Sequence, residues 1–186
     1  MQKRVLSIAA IGFMAFLSTA AQAADGTITI TGSVSDTTCS INGKASGSPA
    51  DLAVTLPTVQ AGSLTTAGAT AGMSNLGDIR FSLSGCSGAA TKAIARFENG
   101  PTVDQSSGNL TNQASASPAL NVQVRLLNAN TQPINVLTGD NNNFATNGAT
   151  ITGGSATLNY FAQYYATGKA QPGNVSTSVQ YTMQYQ

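Results

Sequence analysis

The chain has 186 residues, with 8 basic and 7 acidic side chains and no histidine. Charged residues make up 8% of the sequence, far below the ~25% of an average soluble protein. A chain this poor in charge offers no basic face for nucleic acid or anionic lipid, which argues against both as partners.

The first 23 residues have the pattern of an export signal. Lys3 and Arg4 precede an apolar run over residues 5–17, and residues 21–23 (AQA) match a signal-peptide cleavage site. An uncleaved membrane anchor is the alternative, but the run is short for a spanning helix. We expect an exported protein without stable membrane insertion, whose mature chain begins at Ala24 and is long enough for one domain with a core.

The mature chain opens with a strand-like pattern over residues 27–35. Ile28, Ile30, Gly32 and Val34 occupy every second position, with threonine and serine between them. A period of two predicts a strand with one buried face. Gly32 is unexpected on that face, because glycine weakens a strand unless another backbone must approach closely.

Cys39 and Cys86 are the two cysteines of the chain. In an exported protein two cysteines are expected to pair, and closing so long a loop contributes roughly 4 kcal/mol by the chain-entropy argument. A metal site or a redox pair is the alternative, but the chain has neither histidine nor a C-x-x-C motif. We expect no metal and no cofactor.

The remaining pattern predicts an all-β domain. Short β-branched or aromatic segments are separated by clusters of Gly, Ser, Asn and Pro, which is typical of a β-sandwich or barrel. Loops are expected at 60–75 and 102–117, and turns at 139–147 and 168–172. Strands are expected at 37–41, 51–56, 77–86, 92–97, 120–127, 132–137 and 156–166.

The last segment, from Gly173 to the C-terminus, is the most regular and predicts one long strand. Neither this segment nor residues 26–35 contains a charged residue or a proline, which are the usual protection of sheet edges. The two terminal strands could pair inside one molecule, or at least one could pair between molecules. The side chains on one face of the last segment are Val175, Thr177, Val179, Tyr181, Met183 and Tyr185.

The ordered set of these motifs resembles the major subunits of type 1 fimbriae, the pili assembled by the chaperone–usher pathway. The resemblance covers nearly all of the mature chain. The motifs that carry it are the alternating segment with Gly32 before Cys39, IRFSLSGC at 79–86, VQVRLL at 122–127, FAQYYATG at 161–168, and Pro172-Gly173 followed by alternation up to Tyr185.

This resemblance implies an incomplete immunoglobulin-like β-sandwich that lacks its last strand. Residues 1–23 would be the signal peptide, 24–35 an N-terminal donor-strand extension, and 36–186 the pilin domain. A periplasmic chaperone would first fill the groove left by the missing strand. At an outer-membrane usher, the extension of another copy would then replace the chaperone.

The resemblance also assigns roles to individual residues. Ile28, Ile30 and Val34 would enter the groove of a neighbouring copy, and Gly32 would lie where that groove has no space for a side chain. The acceptor groove and C-terminal strand would include Gly173, Val175, Val179, Tyr181, Met183 and Tyr185.

The expected function is that of a structural subunit of a surface fimbrium, exported through the periplasm and polymerised head to tail for cell adhesion. A minor adaptor or a tip adhesin is the alternative. An adaptor would keep both donor and groove, whereas a tip adhesin would carry a separate lectin domain and need no donor. We expect no enzyme activity, because the chain lacks histidine and no two of its carboxylates form a local pair.

Overall fold

A computed structural model describes residues 28–32, 36 and 38–186. The chain divides into two units, one ending at Ser33 and the other running from Val34 to Gln186. The expected signal peptide and Val34 lie outside the described residues. Within the first unit, residues 28–32 have no regular secondary structure, and Ile28 and Ile30 are 90% and 89% exposed.

The second unit consists mainly of β-strands. Its other regular elements are 3₁₀ turns at Ala61–Ser63 and Asp140–Asn142 and a one-turn helix, α1, at Phe144–Asn147. The strands are β1 (Ser40–Ile41), β2 (Thr70–Ala71), β3 (Ile79–Ser84), β4 (Lys92–Phe97), β5 (Leu110–Thr111), β6 (Leu120–Leu127), β7 (Pro133–Ile134), β8 (Ala149–Thr150), β9 (Ala156–Gln171) and β10 (Tyr181–Tyr185).

The strands form two antiparallel sheets. The larger sheet has the order β1-β3-β9-β6-β5, with β2 also paired to β9 and β7 also paired to β6. The smaller sheet has the order β10-β4-β8. β9 is the longest strand and lies at the centre of the larger sheet, so it determines the position of both halves of that sheet.

The core lies between the two sheets. β3 alternates cleanly, so that Ile79, Phe81 and Leu83 are buried while the residues between them face outward. The Phe81 ring packs edge-on against Tyr160 of β9 at 6.0 Å, and Tyr160 packs edge-on against Phe97 of β4 at 5.1 Å. Aromatic contacts of this geometry join the sheets. The predicted all-β sandwich is confirmed.

Two predicted strands differ most from the structure, and the strand predicted at 132–137 is reduced to Pro133–Ile134. Residues 51–56 alternate as predicted, with Val54 and Leu56 half-buried, but they form no strand, since no described segment pairs with their backbone. The long C-terminal strand is regular only over Tyr181–Tyr185. Its partner β4 ends at Phe97. Before Tyr181, the Ser176 and Ser178 carbonyls accept hydrogen bonds from the Gln113 N–H and the Thr102 hydroxyl instead of from a strand.

The prediction of a turn at 168–172 is wrong, because β9 continues through Gly168 and ends at Gln171. The irregularity lies in the partner strand instead. The register of β6 shifts between Leu120 and Val122, with Asn121 in the left-handed region at φ 57°. The Asn121 side-chain amide donates to the Lys169 carbonyl at 2.9 Å, so the bulge holds the end of β9 in the sheet.

Candidate functional site: an open groove beside the C-terminal strand

A groove of about 1260 Å³, lined by both apolar and polar residues, runs along the second unit. One wall, the N-terminal wall, is formed by residues 49–56, and the other, the C-terminal wall, by residues 175–185. Asp51 and Glu98 are the charged side chains among its lining residues. The floor is formed by core side chains from both sheets, among them Ile79, Phe81, Phe97, Val124, Leu126 and Ala162.

The C-terminal wall is bonded on one side only. The Ser176, Ser178 and Gln180 carbonyls accept hydrogen bonds from neighbours on the side away from the groove, at 2.7, 2.6 and 2.9 Å. Backbone groups of successive strand residues point in opposite directions. Those of the odd-numbered residues therefore face the groove, and within the described chain no backbone hydrogen bond engages residues 175, 177 or 179.

The N-terminal wall has an open backbone as well. Residues 51–59 have no regular secondary structure, and among the described residues they form no backbone hydrogen bond. Val54 and Leu56 turn their side chains onto the core. The groove is thus flanked on both sides by backbone that lacks a strand partner, which is the arrangement that accepts an added β-strand.

Tyr181 connects the two walls. Its hydroxyl donates a hydrogen bond of 2.8 Å to the Ala50 carbonyl on the opposite wall. Its ring lies over Phe81 on the floor, with ring centroids 4.5 Å apart. Burial, with a smaller contribution from the negative charge of Asp51, raises the pKa of the Tyr181 hydroxyl above its ordinary value.

Thr177 has an unsatisfied polar atom in the C-terminal wall. Its hydroxyl oxygen is buried and has no hydrogen-bond partner among the described residues. Buried polar atoms of this kind are rare in folded proteins and each one needs an explanation.

The disulfide lies at one end of the same region. Cys39 and Cys86 are bonded, with their Cα atoms 4.1 Å apart. Cys39 immediately precedes β1 and Cys86 follows β3, and these strands pair through Ser40 and Ser84. The disulfide therefore joins two strands of one sheet rather than two sheets, and the predicted pairing of the cysteines is confirmed.

The predicted groove residues are not all equivalent. Val175, Val179, Tyr181, Met183 and Tyr185 line the groove and are half-buried. Gly173 is not among the lining residues. It lies where the chain passes closely over the backbone of residues 117–119, and a Cβ there would be 2.5 Å from the Ser117 carbonyl oxygen.

Sequence reasoning misses the N-terminal wall as part of the site. Leu52, Val54 and Leu56 alternate with polar and small residues, but that pattern predicts only an ordinary strand. Within the described part of the chain, no three acidic or cysteine side chains cluster as a metal site would require. None of the helices described there is long and apolar enough to cross a membrane.

Comparison with known proteins identifies the family. The family model described as "FimA: Type-1 fimbrial protein, A" matches residues 56–186. The chain is 46% identical to the major fimbrial subunit SMF-1 of Stenotrophomonas maltophilia over 172 residues, covering 89% of this chain and 95% of the relative. It is 39% identical to the F17 fimbrial protein of Escherichia coli over 181 residues, covering 95% and 96%.

Solved structures share the fold. The P pilus rod subunit PapA superposes with a TM-score of 0.54 at 18% identity, covering 80% of this chain and 99% of that one. A subunit from a structure of a chaperone–usher pilus superposes with a TM-score of 0.53 at 20% identity, covering 88% and 96%. The expected incomplete immunoglobulin-like sandwich is therefore the fold of this chain, and the chain belongs to the type-1 fimbrial protein family.

Proposed function

We propose that the chain is a shaft subunit of a surface fimbrium and polymerises by donor-strand exchange. Residues 24–35 of one copy fill the open groove of the next copy. The main support is the groove itself, where two walls of unpaired backbone flank a floor of core side chains. The assignment to the shaft draws support from the name of the relative at 46% identity, a major fimbrial subunit.

The donor and the groove are chemically complementary. Insertion would bury Ile28, Ile30 and Val34, each worth roughly 1.5–3 kcal/mol by transfer from water. It would also add hydrogen bonds along both walls, each with a net value of about 0.5–1.5 kcal/mol. A linkage between two different surfaces of the same molecule repeats head to tail, and it produces a filament when its rotation does not close into a ring.

The proposed pathway follows from the open groove. A signal peptide at residues 1–23 directs export to the periplasm. A chaperone covers the groove there, and an outer-membrane usher exchanges it for the donor of another subunit.

A cellular assembly experiment tests donor-strand exchange. The double variant Ile28→Ser/Ile30→Ser removes the apolar side chains of the donor. The matched control, Thr29→Ser/Thr31→Ser, changes the alternate positions of the same segment. In cells that lack the natural copy, we expect electron microscopy to show filaments for the control and none for the double variant, with both chains exported. Filaments of normal length from the double variant would refute the donor role.

The alternative is an adaptor or tip subunit. It predicts that cells lacking the chain retain shafts and lose only adhesion. The shaft proposal predicts loss of the whole filament, so the same micrographs decide between the two.

A further inference from the structure

Asn112 lies directly behind the C-terminal wall of the groove. It follows β5 immediately and is not among the residues that line the groove. Its side-chain amide donates to the Asn174 carbonyl at 2.8 Å and to the Ala119 carbonyl at 3.1 Å. Its side-chain oxygen accepts from the Ser176 N–H and from the Ala114 N–H, both at 3.0 Å. These bonds use the whole donor and acceptor capacity of an asparagine side chain.

Two of these bonds fix the peptide groups on either side of Val175. The Asn174 carbonyl belongs to the peptide group that carries the Val175 N–H, and the Ser176 N–H belongs to the one that carries the Val175 carbonyl. In a planar trans peptide group the N–H and the C=O point in opposite directions. Because Asn112 holds one group of each peptide on the outer side of the wall, both backbone groups of Val175 point into the groove.

A second side chain has a similar position further along the wall. The Thr102 hydroxyl donates to the Ser178 carbonyl at 2.6 Å, and by the same geometry this bond turns the Val179 N–H towards the groove. Two successive parts of the wall therefore have separate supports, which are Asn112 at Val175 and Thr102 at Val179.

We propose that Asn112 is a positioning residue for donor capture. It holds the N–H and the carbonyl of Val175 in the direction in which an entering strand can pair with them, and it does so from the side of the wall that the entering strand does not reach. An added strand gains affinity from main-chain hydrogen bonds, and a wall whose peptide groups are already oriented costs less to occupy. This inference rests on the proposed function and adds a residue outside the groove to the machinery of capture.

Peptide capture followed by hydrogen exchange tests the proposal. The acceptor is the exported, oxidised chain carrying Ile28→Ser/Ile30→Ser, so that its own donor is disabled. The donor is a synthetic peptide of residues 24–36. Failure of this acceptor to bind the peptide would refute donor-strand exchange itself, whereas the measurements that follow address Asn112, so the two failures are distinguishable.

The first measurement needs no change at Asn112. In the free acceptor we expect the Ser176 amide to be protected from exchange by its bond to Asn112, while the Val175 amide, which faces the open groove, exchanges freely. Capture of the peptide should then protect the Val175 amide. A freely exchanging Ser176 amide in the free acceptor, or a Val175 amide that stays unprotected in the complex, would overturn the proposal.

The second measurement uses the nearly isosteric variant Asn112→Asp. It keeps an oxygen that can accept from the Ser176 N–H but loses the donors to the Asn174 and Ala119 carbonyls. We expect the lifetime of the peptide complex to fall roughly three- to thirtyfold, as for one or two lost hydrogen bonds, and protection to fall at the Val175 amide. An unchanged lifetime would refute the role of Asn112.

Two further variants separate positioning from general support of the fold. Thr102→Val removes the second support and should lower protection at Val179 while leaving Val175 protected. Asn121→Asp is the same substitution in the bulge of β6, and it should leave the lifetime of the complex unchanged. An equal loss of protection along the whole wall in Asn112→Asp would indicate a merely structural effect and would contradict the proposal.

Discussion

The hydroxyl oxygen of Tyr160 accepts a hydrogen bond of 3.1 Å from the Ala95 N–H and thereby links the two sheets through the core. Ala95 lies in β4 beyond the short pairing with β8, which reaches only Lys92 and Ala93. No strand is therefore available to its N–H on that side. Burial raises the pKa of Tyr160, as expected for a phenol enclosed in an apolar core.

Replacing Tyr160 with phenylalanine should destabilise the domain. Tyr160→Phe keeps the ring contacts with Phe81 and Phe97 but leaves the Ala95 N–H buried without its partner. The cost of such a group is about 1–3 kcal/mol. Urea unfolding should show this loss, whereas Tyr165→Phe should change stability by less than about 0.5 kcal/mol, as for a surface substitution. Equal stabilities for the two variants would show that the bond between the sheets contributes nothing.

Gly173 should not tolerate any side chain. A Cβ at this position would lie 2.5 Å from both the Ser117 carbonyl oxygen and the Pro118 carbonyl carbon, which are backbone atoms that cannot rotate away. We expect Gly173→Ala to destabilise the domain by about 1–3 kcal/mol, the range for overpacking. Gly62→Ala is the matched control, because a Cβ there meets nothing within 4 Å. Thermal unfolding of both variants gives the comparison, and similar midpoints would refute the steric argument.

The strands predicted best are those whose partner strands pair along their whole length. Residues 92–97 and 120–127 match β4 and β6 at both ends, because two-residue periodicity coincides there with neighbouring strands, even though the ladder of β6 is interrupted by a bulge between Leu120 and Val122. Apolar and polar residues also alternate through residues 175–180, yet these residues form no strand. Their carbonyls bond to the N–H of Gln113 in a loop and to the Thr102 side chain rather than to a neighbouring strand. Periodicity reports which face is buried, whereas a strand also requires a neighbour.

The candidate site can be predicted from one side only. The alternation of Val175, Val179 and Tyr181 predicts a strand with one buried face, and the resemblance to fimbrial subunits implies that this strand lines the groove. Residues 49–56 cannot be recognised in the same way. They form a wall only because no strand lies between them and the C-terminal wall, and the local sequence does not show that gap. The contact between Tyr181 and Ala50 joins positions 131 residues apart and has no signature in local sequence.

Loss of the disulfide should weaken the domain. Cys39 and Cys86 are separated by 47 positions, for which the chain-entropy argument gives roughly 4 kcal/mol. We expect the double variant Cys39→Ser/Cys86→Ser, or treatment with a reductant, to lower the free energy of unfolding by about 2–5 kcal/mol. Reductant added to the double variant is the control and should have no effect. If reductant leaves the free energy of unfolding of the unaltered chain unchanged, this expectation is wrong.

The carboxylate of Asp104 should give the domain a specific sensitivity to acid. One of its oxygens accepts hydrogen bonds from the hydroxyls and the backbone N–H groups of Ser106 and Ser107, at 2.6–3.0 Å. These bonds, with the Ser106 hydroxyl contributing most, lower the pKa of Asp104 from 3.8 to about 2. The folded chain therefore holds the ionised form more strongly than the unfolded chain does.

The sign of the effect follows from this difference. Because the pKa is lower in the folded state, the stabilisation is fully present above pH ~4 and is lost as the pH falls towards ~2. Asp104→Asn should be less stable than the unaltered chain near neutral pH, and the two stabilities should converge as the pH approaches 2. Urea midpoints measured from pH 7 to pH 2 follow this convergence. A difference that stays constant down to pH 2 would assign the effect to the shape of the loop rather than to the charge, because only the charge is titrated away in that interval.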